Sequence, residues 1–106
     1  MPRYLFEASY TPEGVKGIQK AGAASRASAV SDMCKGLGGS LVSFDFAFGP
    51  VDAFVIVDLP DDEAAAAAAF TVGASGATSV NTIKLLSVEE ADAAVSRSVD
   101  YRPPGS

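Results

Sequence analysis

An α+β sandwich with the element order βαββαβ, closed by a short C-terminal helix, is the fold this chain predicts. Three observations point to it. Four stretches alternate as strands do, the stretches between them carry helix caps and helix-favouring residues, and strands two and three are joined by a tight turn. No linker interrupts the 106 residues, a length that supports one modest core. Residues 1–106 are therefore read as a single domain, with 98–106 as an extended tail.

The first strand is Arg3 to Tyr10, where two tyrosines and a phenylalanine alternate with smaller or polar residues. Thr11 then caps a helix, Pro12 fits its first position and Glu13 lies in the first turn, where the helix dipole favours an acid. This helix is expected to run to about Leu37, although Gly14, Gly17 and Gly22 each weaken it by about 1 kcal/mol relative to alanine. "GLGGS" ends it, with Gly38 or Gly39 as a left-handed cap.

Strands Leu41–Phe48 and Asp52–Leu59 flank the turn Gly49-Pro50-Val51. Asp61 caps the second helix, Asp62 and Glu63 complement its positive end, and the run Ala64–Ala69 lets it sit low on a sheet. A fourth strand fits Thr78–Leu86. "SVEE" then reads as a capping box of Ser87 with Glu90, opening a last helix through about Arg97. Two βαβ halves joined through right-handed crossovers describe a ferredoxin-like sandwich.

Composition narrows the function classes. Net charge is −5, and the lysines are scattered, so the electrostatic footprint of a nucleic-acid or anionic-membrane binder is missing. No window approaches the ~20 apolar residues of a membrane span. The N-terminus runs straight into a strand pattern, so no signal peptide is expected, and the single cysteine fits a reducing cytoplasm. The chain has no histidine. That removes the usual general base and the commonest metal and haem ligand, and neither a metal nor a cofactor is expected.

Strict alternation puts Val42, Phe44, Phe46 and Phe48 on one side of strand two, and Phe54 and Ile56 on one side of strand three. The opposite side of strand three, Ala53, Val55, Val57 and Leu59, suits the alanine-rich helix. Two helices cover one face only, so this register leaves the phenylalanines in water. Each phenylalanine left uncovered forgoes about 1.5–3 kcal/mol. An exposed patch of that kind marks an interface or a ligand groove. The simplest cover is a second copy of the chain, sheet against sheet; a register one residue off turns the phenylalanines toward the helices instead.

"YTPEGVKG", "FAFGPVDAFVIVDLPD" and "SVDYRPPG" together make nearly the whole chain resemble the GYD-domain family of small bacterial proteins. The family is named for a Gly…Tyr-Asp signature in the hairpin. Gly49 and Asp52 match it here, with Val51 where the tyrosine is expected. The resemblance implies a ferredoxin-like fold that self-associates as a dimeric α+β barrel, and it brings no activity with it.

Candidate site residues have two readings each. Gly49 and Asp52 either present a carboxylate at a pocket mouth or serve the turn, the glycine with positive φ and the aspartate bonding backbone amides. Glu7, mid-strand among apolar neighbours, is a general-base candidate, or it faces solvent or pairs with Arg3. Asp45 and Tyr10 are further catalytic candidates. Tyr4, Phe6, Phe44, Phe46, Phe48 and Phe54 are expected to line a ligand pocket or an interface. Cys34 reads as a packed thiol. "YRPPGS" either clasps a neighbouring subunit through Tyr101 or frays.

The expected function is that of a small cytoplasmic homo-oligomer that binds a small, partly apolar molecule between paired sheets. A cofactor-free monooxygenase or isomerase, and a purely structural or regulatory assembly module, are the alternatives.

Overall fold

Alternation along Arg3–Tyr10, strand β1, makes it the two-faced central strand of the molecule: Tyr4, Phe6 and Ala8 are buried, and the residues between them are not. The computed structural model describes residues 1–105; Ser106, the last residue of the expected tail, lies outside them. After β1 come α1 (Pro12–Ala21), α2 (Ala23–Gly36), β2 (Ser40–Phe46), β3 (Ala53–Asp58), α3 (Asp62–Ala74), β4 (Thr78–Leu85) and α4 (Val88–Val95). The fold is α+β, with a four-stranded antiparallel sheet in the order β2-β3-β1-β4. Among the described residues no helix is long and apolar enough to cross a membrane.

The core lies between one face of this sheet and helices α2 and α3. Tyr4, Phe6 and Ala8 meet Ala53, Val55, Val57 and Leu59 from β3 and its exit, Val30 and Cys34 from α2, and Ala65 and Ala68 from α3. Alanine is the contact residue of α3 because a methyl group lets the helix backbone approach the strands closely. Cys34 is fully buried, and burial pushes its thiol pKa up.

The expected caps form. Thr11 accepts from the Gly14 amide with Pro12 next to it, Asp61 accepts from Ala64, and Ser87 and Glu90 complete a capping box. The single long helix from Thr11 to Leu37 does not. It breaks at Gly22, whose φ of 94° takes the chain out of α1 while its amide bonds the Ile18 carbonyl. A glycine there ends one helix and starts the next, a conformation a side chain disfavours.

The phenylalanine row is also corrected. Register between β2 and β3 shifts between Leu41 and Ser43, leaving Val42 as an extra, unpaired residue. Such a bulge reverses the side-chain parity beyond it. Leu41 pairs with Val57 and Phe44 with Val55, so both lie on the helix-covered side. Phe46, opposite Ala53, follows Phe44, and their rings tilt together at 5.1 Å between centroids. Phe46 is still 45 % exposed because β2 is an edge strand. Phe48 stands outside any strand in the turn, fully exposed, and Phe54 lies on the opposite side of the sheet from Phe44 and Phe46.

Beyond Leu85 the chain leaves the body of the domain. Every described residue from Leu86 onward is exposed. The radius of gyration is 16.8 Å and the long dimension 57 Å, against a radius of about 13 Å for a compact chain of this length.

Candidate functional site

The sheet face turned away from α2 and α3 is a grid of three rows that run across all four strands. The first holds Asp45, Phe54, Glu7 and Asn81; the second Ser43, Ile56, Leu5 and Ile83; the third Ser40, Asp58, Arg3 and Leu85. Each of these side chains retains solvent exposure, and Ile83 is 37 % exposed. The middle of the grid is apolar, with Leu5, Ile56, Ile83 and Phe54 adjoining. Polar groups border it on both sides.

Those polar groups are held in place. Glu7 Oε1 accepts from Asn81 Nδ2 at 2.8 Å. Arg3 closes a two-point fork on Asp58, Nε to Oδ1 at 2.8 Å and Nη2 to Oδ2 at 3.0 Å. That hydrogen bond holds the Asp58 carboxyl below its ordinary pKa. Arg3 therefore pairs across to β3, and Glu7 takes its partner from β4.

Of the catalytic candidates, Glu7 and Asp45 share a row, with Phe54 between them, whereas Tyr10 lies on the helix-covered side. Tyr10 is half-buried, its ring 6.4 Å from that of Phe46. Burial raises its phenol pKa, and the neighbouring Arg26 guanidinium pulls the other way. Tyr4 and Phe6 are core residues, 2 % and 6 % exposed.

Gly49 and Asp52 serve the hairpin. Gly49 has φ 97°, which favours glycine. Asp52 sits just before β3, where regular pairing with β1 stops at Ala53. Its amide donates to the Ala8 carbonyl at 2.9 Å, and its carboxylate Oδ2 accepts from the Tyr10 amide at 2.8 Å. The side chain thus continues the ladder one step past the end of the strand.

Three charged residues gain roles that the sequence reading did not assign. Asp62 accepts from the Tyr4 phenol at 2.5 Å and from Lys84 Nζ at 2.9 Å, beside an open groove bordered by Ala66, Phe70 and Thr82. Asp62 had an adequate explanation as a first-turn acid. Lys84 shares strand parity with Thr82 and Val80, on the helix-covered side, which was the available clue to a buried-side partner. Arg26, in the first turn of α2, is the third: its guanidinium adjoins the Tyr10 phenol and opposes the rise that burial gives the phenol's pKa.

Fold and surface together define an α+β domain with one sheet face packed under helices and the other open, apolar at its middle and polar at its borders. The family model of the GYD domain matches residues 4–95 of the 106-residue chain, and the chain belongs to that family. Neither the curated proteins nor the solved structures contain a significant match to it.

Proposed function

We propose that this protein is a homo-oligomer whose open sheet faces pair as in a dimeric α+β barrel, and that a small, partly apolar molecule binds between them. The grid of Leu5, Phe54, Ile56 and Ile83, uncovered by its own chain, carries this reading. Covering a leucine, isoleucine or phenylalanine fully is worth about 1.5–3 kcal/mol. Four adjoining ones on a flat sheet constitute a patch that association buries. The strand order, with β1 between β3 and β4, agrees with the ferredoxin-like description on which such pairing rests. Glu7, Asn81 and Asp45 at the border of the patch supply the few polar contacts that orient a ligand.

The C-terminal segment supports pairing independently. Helix α4 has eight residues, none of them buried, and Leu86, Val88, Val95, Val99 and Tyr101 are all well exposed. Isolated helices shorter than about 12–15 residues are marginal in water. A neighbouring subunit supplies the apolar surface that such a helix and its Tyr101-bearing tail require.

Sedimentation across a wide concentration range tests the pairing. The expected result is a dimer or higher oligomer that becomes a folded monomer on I56E. A wild-type chain that stays monomeric at high concentration overturns it. The ligand is tested separately, by the structure of the oligomer. A void between the sheets supports it, and a fully packed inter-sheet space leaves an assembly module alone.

A second reading, a cofactor-free monooxygenase or isomerase, draws on Glu7 and Asp45 in one row with Asn81 fixing the orientation of Glu7. Unchanged turnover of an identified substrate in E7Q and D45N removes it.

A further inference from the structure

A strand at the edge of a sheet has backbone N–H and C=O groups with no partner on its outer side, and a long, regular edge is a template for another strand. The edges of this sheet are β2 and β4. The bulge at Val42 blunts the first. β4 has no such interruption: Thr78–Leu85 pairs with β1 residue for residue along its length. Beside that edge runs a groove of about 370 Å³ between α3 and β4, lined by Ala66, Phe70 and Thr82. Phe70 is 79 % exposed there, an aromatic ring that its own chain leaves in water.

The C-terminal tail holds a segment that matches this edge. Residues 98–102, Ser-Val-Asp-Tyr-Arg, lie in no helix, strand or turn, and Val99 and Tyr101 are 78 % and 70 % exposed. Their alternation with Ser98, Asp100 and Arg102 is that of a strand with one apolar and one polar face, and valine and tyrosine favour strands. Pro103 and Pro104 follow; they lack the amide hydrogen that a ladder needs and set where pairing stops. The charges match as well. The row of Asp45, Phe54, Glu7 and Asn81 ends on β4, and neither of its carboxylates is in an ion pair among the described residues. Arg102 is a cation that likewise has no ion pair there.

We propose that residues 98–102 of one copy add as a fifth, antiparallel strand to the β4 edge of a second copy, with Tyr101 beside Thr82 and over Phe70, and Arg102 beside Asn81. In this register each copy's row of Glu7 and Asp45 is completed by an arginine from the other. Neighbouring strands lie about 4.8 Å apart, so the guanidinium extends past Asn81 toward the Glu7 carboxylate. The segment stands clear of its own sheet. Every described residue from Leu86 onward is exposed, the molecule is 57 Å long, and the eight-residue α4, about 12 Å, carries the tail off the end of β4. The exchange rests on the pairing proposed above, which brings a second β4 edge within reach, and it adds the strand that crosses and the residue it delivers.

Full-length chains carrying T82C and Y101C, each with C34A and a different tag, are mixed and mildly oxidised. The expected product is a disulfide-linked heterodimer, because the Cα atoms of opposed strand residues stand about 4.5–5.5 Å apart, within disulfide reach. D100C in place of Y101C points to the other face and gives little product. Y101A and R102E each raise the dissociation constant of the oligomer about tenfold, and E7R returns most of the loss in R102E. Tyr101 is exposed in its own chain, so Y101A leaves each domain folded. An oligomer in sedimentation that yields no T82C–Y101C product, or as much from D100C, overturns the exchange and leaves the sheet pairing standing. So does a T82C/Y101C double variant that closes its disulfide within one chain, or a wild-type dissociation constant in both Y101A and R102E. A wild-type chain that is monomeric throughout removes the pairing and the exchange together.

Discussion

The phenol of Tyr4, in β1, donates to Asp62 Oδ1 in the first turn of α3 across 2.5 Å, although 58 residues separate the two. Lys84 of β4 reaches the same carboxylate oxygen at 2.9 Å. One atom therefore ties together the central strand, an edge strand and a helix. Burial, then the bond to Asp62, pushes the Tyr4 pKa up to about 12 from 10.0. The same bond, followed by that from Lys84, holds the Asp62 carboxyl below its ordinary value.

Y4F deletes this donor and keeps the ring. A hydrogen bond to a charged acceptor is worth about 1.5–3 kcal/mol, and the exposure of Asp62 places Y4F at the lower end, about 1–2 kcal/mol of lost stability by urea denaturation. A phenol whose folded pKa is raised stabilises the protonated form. Its contribution is complete below pH 10.0 and is lost as pH rises through about 12. Y4F flattens that alkaline limb. Y10F removes a further part, since the Tyr10 pKa is also raised.

The acid limb depends on different groups. Asp58 and Asp62 both have lowered pKa values in the folded chain. Their contribution is present above the unfolded carboxylate range and is lost as pH falls through the folded values. D58N and D62N each make the urea midpoint less sensitive to acid, as does R3Q, which removes the cause of the Asp58 shift.

Two glycines of α1, three residues apart, respond to alanine with opposite sign. A Cβ at Gly14 collides with the Ala77 carbonyl oxygen, a backbone atom that moves only with the loop before β4. G14A destabilises by about 2 kcal/mol or more. At Gly17 the space is open, and G17A raises stability by about 0.5–1 kcal/mol through helix propensity. Thermal melts of the two variants check both signs.

Cys34 reports on opening of the core. Its side chain is fully buried under α2 and its pKa is raised by that burial. Iodoacetamide reacts with the native chain far more slowly than with the unfolded one, because both access and thiolate are withheld. The labelling rate rises in step with unfolding across a urea series. A thiol that labels at the unfolded rate in native buffer contradicts this packing.

Much of the architecture is legible in the residues themselves, because it depends on local rules. Thr11, Asp61 and Ser87 cap helices since their oxygens satisfy amides three residues on, a bond that is local to each helix start. The facing of β3 follows from period-two alternation, which Ala53, Val55, Val57 and Leu59 display without ambiguity. Asp52 is legible as a turn aspartate, although its acceptor role toward Tyr10, 42 residues away, is not.

The sequence by itself determined the order of elements, their caps, and which side of β3 enters the core. Only the tertiary structure decided that the Tyr4 and Phe6 side of β1 is core, and which side of β2 is. One extra residue at Val42 reverses Phe44 and Phe46, and a bulge is set by pairing with the neighbouring strand, which no local pattern encodes. Tertiary packing likewise decided that Gly22 divides one helix into two and that Arg3, not Arg26, receives a carboxylate. Such outcomes depend on contacts between segments far apart in the chain, where geometry selects among residues of equal local propensity.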